Sequence, residues 1–172
     1  MTDGTVRLRP PTEADLPELA DAIRASAAEL AEYLPWAIGE YDERDTRDWI
    51  RRRGYPNEVG FVILDPTGTI VGVCGLNGFD ELHRSANLGF WLRTSAHGNG
   101  YATRAGRLVA AHGFDAYRLR RIEIMMAVAN TASRRVAERL GARHEGILRS
   151  KLQLGGHRHD AHLYSLLPGE TA

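Results

Sequence analysis

The residues best suited to chemistry lie in the run His97-Gly98-Asn99-Gly100-Tyr101-Ala102. Two alternating glycines let successive backbone N–H groups turn toward one point, and a helical pattern starts directly after them. Such a nest of donors, at the positive end of a helix dipole, is a seat for an anion. A phosphate or pyrophosphate is its natural occupant. A Walker-type phosphate loop needs Gly-Lys-Ser/Thr, and the sole lysine of this chain is Lys151, so that reading fails. A dinucleotide fingerprint asks for a small residue where Thr103 stands and an acid ending the next strand. Glu123 has about the right spacing but falls in mid-strand. The remaining alternative is a tight strand-to-helix turn with no ligand.

Other candidate groups are more scattered. Asn130 and Ser133 stand as Asn-x-x-Ser before a helical pattern, where Asn130 serves as an N-cap and Ser133 as a small first-turn residue. His83, beside Asp80 and Glu81 in a loop, has the reference pKa of about 6.5 that suits a base near neutral pH. A solvated loop histidine is the plainer alternative. His157 and His159 with Asp160 do not converge without a third ligand, so no metal is expected. Arg134 and Arg135 read as a solvated face. Cys74, within the apolar run Val71-Gly72-Val73-Cys74, reads as a buried structural thiol.

The elements that position these groups follow from periodicity. Leu88 to Leu92 is an apolar strand, and Tyr101, Ala105, Leu108, Val109 and His112 define one helical face after the glycine turn. Ahead of them, Val6 to Arg9 is a strand stopped by Pro10-Pro11. Thr12 caps a helix to about Ser26, with Asp15 at the capping-box position. Residues 27–57 are irregular and aromatic, with a short helical stretch near Asp45 to Arg53. Val59–Leu64 and Ile70–Leu76 form a hairpin about Asp65-Pro66-Thr67-Gly68. Behind the glycine helix come a strand (Arg121 to Val128), a helix carrying Val136, Ala137 and Leu140 to the core and ended by Gly141, and two closing strands (Arg143–Leu154, His159–Leu166).

The pattern is α+β, a mixed twisted sheet of about seven strands with helices on both faces. With 172 residues it suits a single domain spanning 1–172. A hydrophobic fraction of 43%, a charged fraction of 26% and zero formal net charge argue against nucleic acid or an anionic membrane as partner. No apolar run is long enough to span a bilayer, and residues 1–8 show no signal-peptide pattern. One cysteine makes no internal disulfide, which fits a reducing cytoplasm.

Taken in order, these motifs resemble one family. A strand, then Gly-x-Gly opening a long helix, is similar to the acetyl-coenzyme A pyrophosphate motif of the GNAT N-acetyltransferases. Gly98-Asn99-Gly100-Tyr101-Ala102-Thr103 resembles the RimJ/RimL-type branch in particular. So do Phe114, Arg121-Ile122-Glu123, Asn130 to Ser133, Leu140-Gly141, Glu145 to Arg149, and Gly156 to Asp160. Two positions depart from that branch: His97 replaces its usual Gln or Arg, and Asn87 stands where it often has a carboxylate. The resemblance implies one GNAT-like domain, acetyl-CoA as co-substrate, a primary amine as acceptor and a homodimer.

It also implies roles. His97, Gly98, Asn99, Gly100, Tyr101, Ala102 and Thr103 would hold the pyrophosphate. The backbone near Trp91, Leu92 and Arg93, on a strand splayed from its neighbour, would bind the pantetheine arm. Asn130 would contact the cofactor, and Ser133 would lie near its sulfur as proton donor to the leaving thiolate. His83 is the candidate base. Trp36, Tyr33 and His83, within or near the irregular aromatic stretch, would shape the acceptor pocket. A lysine amine of pKa about 10.4 is roughly 4 kcal/mol from its neutral form near pH 7.5, while an α-amine near 8 loses under 1 kcal/mol. A site without a strong base therefore leans toward α-amines or other amines of low pKa. The alternative is a coenzyme A-binding domain of the same fold without catalysis.

Overall fold

A computed structural model describes residues 1–37 and 41–171. Its strands β1 (Arg7–Arg9), β2 (Glu58–Leu64), β3 (Ile70–Asp80), β4 (Ser85–Leu92), β5 (Arg121–Ala127), β6 (Arg143–Leu154) and β7 (His157–Leu166) make one sheet. Their order is β1-β2-β3-β4-β5-β7-β6. Only β4 and β5 run parallel; the other neighbours are antiparallel. The helices are α1 (Leu16–Ala25), α2 (Ala27–Tyr33), α3 (Glu43–Arg52), α4 (Tyr101–Ala116) and α5 (Thr131–Arg139). On one face α4 and α5 close the main core over Leu76, Leu88, Ile122, Ile124 and Leu166. On the other, α1 and α3 pack on Val62, Leu64, Ile70 and Val73. The expected mixed sheet with helices on both faces is what forms.

β4 shows how the sequence directs side chains. Ala86 and Leu88 enter the α4 core, so the period of two turns Asn87, Gly89 and Trp91 to the opposite face. Trp91 packs there against the smaller clusters under α1 and α2.

Three details differ from the sequence reading. The buried face of α4 is Ala102, Thr103, Ala105, Gly106, Val109, Ala110 and Gly113, rotated toward the small residues. A Cβ at Gly106 would stand 3.0 Å from Leu140 Cδ1, and one at Gly113 2.9 Å from Leu76 Cδ1. Close approach of helix to sheet wins over burial of bulk, and Tyr101, Leu108 and His112 stay half-buried. Second, part of the irregular stretch is helix α2, separated from α1 at Ser26, whose hydroxyl accepts the Thr94 N–H (3.0 Å). That tertiary bond fixes a break that no proline or glycine announces. Residues 38–40 of the same stretch lie outside the described residues. Third, β3 runs on to Asp80, four residues past the hairpin expected from the apolar pattern. Cys74 is fully buried, and burial pushes its thiol up to about 12, as a structural thiol requires.

Candidate active site

β4 and β5 pair over three positions only: Ser85 with Arg121, Ala86 with Ile122, Asn87 with Glu123. Past that point β4 stays with β3 and β5 with β7. The strands part into a fork whose inner edges, Leu88–Leu92 and Ile124–Ala127, carry no partner strand. Because β4 and β5 are parallel, their C-terminal ends lie together at the open end. The loops leading to α4 and α5 both emerge there, so the fold brings Gly98 to Thr103 and Asn130 to Ser133 to one mouth.

Gly98 and Gly100 adopt φ of +82° and +75°, the left-handed region that glycine enters without strain. A Cβ at either would meet nothing within 4 Å, so both face open space. The first helical hydrogen bond of α4 runs from Arg104 N–H to the Gly100 carbonyl (3.1 Å), and no side chain caps the helix. Among the described residues, the N–H groups from Gly98 to Thr103 donate to no group of the chain. Asn99, exposed, donates from Nδ2 to the Ala96 carbonyl (3.2 Å) and pins the loop without blocking it. Unanswered donors over open space at a helix N-terminus fit a pyrophosphate. His97 flanks the loop, with Nδ1 3.8 Å from Glu29 Oε2.

Asn130 caps α5, its Oδ1 accepting the Ser133 N–H at 2.9 Å. Its Nδ2 and the Ser133 hydroxyl hold no partner among the described residues, so both remain available to a ligand. Across the fork mouth, Tyr33 OH reaches the Ala129 carbonyl (3.5 Å). Trp36, half exposed, stands 6.1 Å from Trp91, ring to ring. Trp91, Trp36 and Tyr33 therefore wall the fork on the α1–α3 face.

Two of the expected site residues stand apart from the open edge of the fork. His83 sits in the β3–β4 turn, bonded to Asp80 (3.0 Å), at the start of β4. The eight residues of β4 at about 3.3 Å each put roughly 25 Å between it and the glycine loop, so it stands away from the mouth. Arg93 offers no free backbone group: its N–H donates to Val71 (2.7 Å) and its carbonyl accepts from Ala96 (2.8 Å). Its guanidinium turns to Asp21 of α1 at 3.3 Å. Leu92 and Trp91 keep their places on the fork edge.

At the closed end stands a charged cluster that the sequence did not reveal. Arg121 donates to Glu123 through Nε (2.9 Å) and to both oxygens of Glu145 (2.7 and 2.6 Å), while the Ser165 hydroxyl donates to Glu145 (2.7 Å). The Arg121 pair, then the Ser165 bond, hold the Glu145 carboxyl down to about 2. A depressed carboxylate contributes stability above its unfolded value and loses it as pH falls through the folded one. Glu145→Gln should lower Tm by about 2–4 °C at pH 7, from a partly exposed pair worth roughly 1 kcal/mol. That deficit should shrink between pH 4.5 and 2 in thermal melts. A deficit constant over the whole range would disprove the coupling.

Residues 5–143 match the acetyltransferase (GNAT) domain family. The chain belongs to the GNAT acetyltransferase family. Among its relatives is YdaF of Bacillus subtilis (strain 168), named as a ribosomal N-acetyltransferase, 33% identical over 96% of this chain and 92% of that protein. Among solved structures, RimL, a ribosomal alpha-N-protein acetyltransferase in complex with coenzyme A, superposes with a TM-score of 0.86. It is 26% identical, and the match covers 95% of this chain and 94% of RimL. Mycobacterium smegmatis RimJ with coenzyme A disulfide gives 0.83 at 28% identity, over 96% of this chain and 83% of RimJ. The likeness to that branch runs over nearly all of this chain. Among its described residues no helix is long and apolar enough to cross a membrane, and no group of three or more His, Cys, Asp or Glu side chains could hold a metal.

Proposed function

We propose that this acetyltransferase moves the acetyl group of acetyl-CoA to a primary amine by direct attack in a ternary complex. The observation that carries the reading is the fork: unanswered donors at its mouth lead along an unpaired strand edge to a polar closed end. The unpaired edge of β4 beside the mouth lies open to an extended pantetheine arm. Its free backbone groups would orient the arm and polarise the thioester carbonyl. The amine nitrogen then bonds to the carbonyl carbon as the C–S bond breaks, and the sulfur leaves with a proton. Net, an ammonium and acetyl-CoA become an acetamide, free coenzyme A and one proton in solution. The acceptor is a protein N-terminal α-amine, as in the alpha-N-protein activity named for RimL, or a small amine of similar basicity. Thiol release from acetyl-CoA, screened over peptides, polyamines and amino acids, tests this. Acetyl-CoA binding without release for any acceptor would establish the non-catalytic alternative.

Ser133 is the proton donor in this scheme. It sits in the first turn of α5, where backbone dipoles favour the developing thiolate. A thiol of reference pKa about 8.5 needs modest help to leave, so the low end of the usual 10²–10⁴-fold is expected. Ser133→Ala should lower kcat about ten- to a hundredfold, with coenzyme A affinity unchanged. Full activity in that variant would leave Ser133 a small helix-start residue.

A further inference from the structure

Beneath the helix that carries Ser133 lies a histidine pair to which the reaction as described gives no role. Across β7 and β5, His162 pairs with Met126 and Tyr164 with Ile124. Met126, Ile124 and Tyr164 all belong to the core under α4 and α5, so the period of two turns His162 to that same face. It is buried there. His144, paired with Tyr164 from β6 and exposed, brings its Nε2 to 3.0 Å from His162 Nδ1. Its ring lies 4.8 Å from that of Tyr164. The Tyr164 hydroxyl donates to Glu138 Oε1 (3.2 Å), and Arg134 Nε donates to the same oxygen (2.9 Å). Helix α5 therefore runs back over β7. Glu138 stands at Tyr164, and one turn nearer the mouth Arg134, next to Ser133, is close enough to act on His162.

The contact between the two rings holds while one of its nitrogens is bare, because that nitrogen accepts and the other donates. Protons on both would set two donors 3.0 Å apart and break the bond. Each element packed on the pair bears on that second proton. Burial first, then His144 of β6 and Arg134 of α5, hold the His162 imidazole below its ordinary value, while Glu138 of α5 acts the other way. Tyr164 of β7, whose own value burial raises, stays neutral, and β5 offers the apolar Met126. A charged ring at His162 would also stand at the positive end of the α5 dipole.

Resting on the acetyltransferase reading, we propose that His162 and His144 are positioning residues for the cofactor end of α5. While at most one of the two rings is charged, they hold the first turn of the helix where Asn130 and Ser133 meet coenzyme A. A second proton releases that turn. The rings touch no reacting atom and act through the helix above them. A ring held below its ordinary value contributes stability above its unfolded value and loses it as pH falls through the folded one. The effect therefore sets in below about pH 6.5, the reference value for histidine. Acid loosens the α5 side of the mouth, while the glycine loop after β4 keeps its donors.

Calorimetric titration with coenzyme A at pH 7 and pH 5 tests it, read as the ratio of the two Kd values within each protein. In wild type, affinity should fall about tenfold over that step, the equivalent of one pKa unit of linked protonation. In His162→Gln, whose amide bonds to His144 but takes no charge, the ratio should stay below about threefold. The phosphates of coenzyme A titrate alike against both proteins, so the difference between the ratios belongs to the pair. His144→Gln, at the exposed end, should flatten the ratio in the same way, and it carries the test where the buried substitution does not fold. Hydrogen exchange over residues 131–134, referred to residues 101–104 of α4, should quicken at pH 5 in wild type and not in the variants. Equal ratios in all three proteins, or a wild-type ratio near one, would overturn the proposal. Failure of the wild-type protein to bind coenzyme A at pH 7 would instead refute the cofactor site, and the role of the pair with it.

Discussion

Gly100→Val should weaken coenzyme A binding about a hundredfold or more in a protein that still folds. Gly100 holds φ +75° at the N-cap of α4, and a β-branched residue there costs roughly 1–2 kcal/mol of backbone strain. Nothing within 4 Å would clash with the new Cβ, so the domain loses only a few degrees of Tm. The ligand side is different. An isopropyl group over the nest displaces the phosphate from N–H groups that no other part of the chain satisfies. Each hydrogen bond to a charged group is worth about 1.5–3 kcal/mol, and two lost bonds exceed a hundredfold at 1.4 kcal/mol per decade. Calorimetric titration with coenzyme A, beside a thermal melt, is the measurement. Affinity within about threefold of wild type, in a folded variant, would remove the glycine turn from the binding site.

Gly89→Val should cut kcat/KM for the acceptor about thirtyfold while leaving coenzyme A affinity near wild type. Gly89 lies in β4 between Leu88 and Phe90, in ordinary extended conformation, so valine suits its backbone. Within 4 Å a Cβ there would meet only the amide nitrogens of Asn77 and Asn87, so the added methyls point to the α1–α3 face rather than into the α4 core. Overpacking of a shaped space costs about 1–3 kcal/mol, and 2 kcal/mol is close to thirtyfold. The contrast with Gly75 in the adjacent strand is useful. There a Cβ would stand 2.4 Å from the Val59 carbonyl oxygen, a backbone clash that no side chain can relieve. Steady-state kinetics with each substrate varied in turn separates the outcomes. Equal rises in both KM values would show that Gly89 serves the sheet and not the acceptor.

Local chemistry by itself determined the glycine turn, the Asn130 cap, the buried Cys74 thiol and the limits of most strands. Each depends on residues adjacent in the chain: alternating glycines before a helix pattern, an asparagine at a helix start, an apolar run broken by Asp-Pro-Thr-Gly. The order of motifs was enough to bring the family into view. What only the tertiary structure decided are the properties that arise between segments. The buried face of α4 turned toward Gly106 and Gly113 because Leu140 and Leu76 approach there, and no periodicity records a neighbour's closeness. The break between α1 and α2 depends on Thr94, 68 residues from Ser26. His83 stands beside Asp80, and the length of β4 sets it roughly 25 Å from the glycine loop. Glu123 and Asn87 lie 36 positions apart by their numbers and carry no shared motif. Only the parallel register of β4 on β5 sets them side by side, because strand pairing across a long connection is fixed by packing of the whole sheet rather than by local sequence.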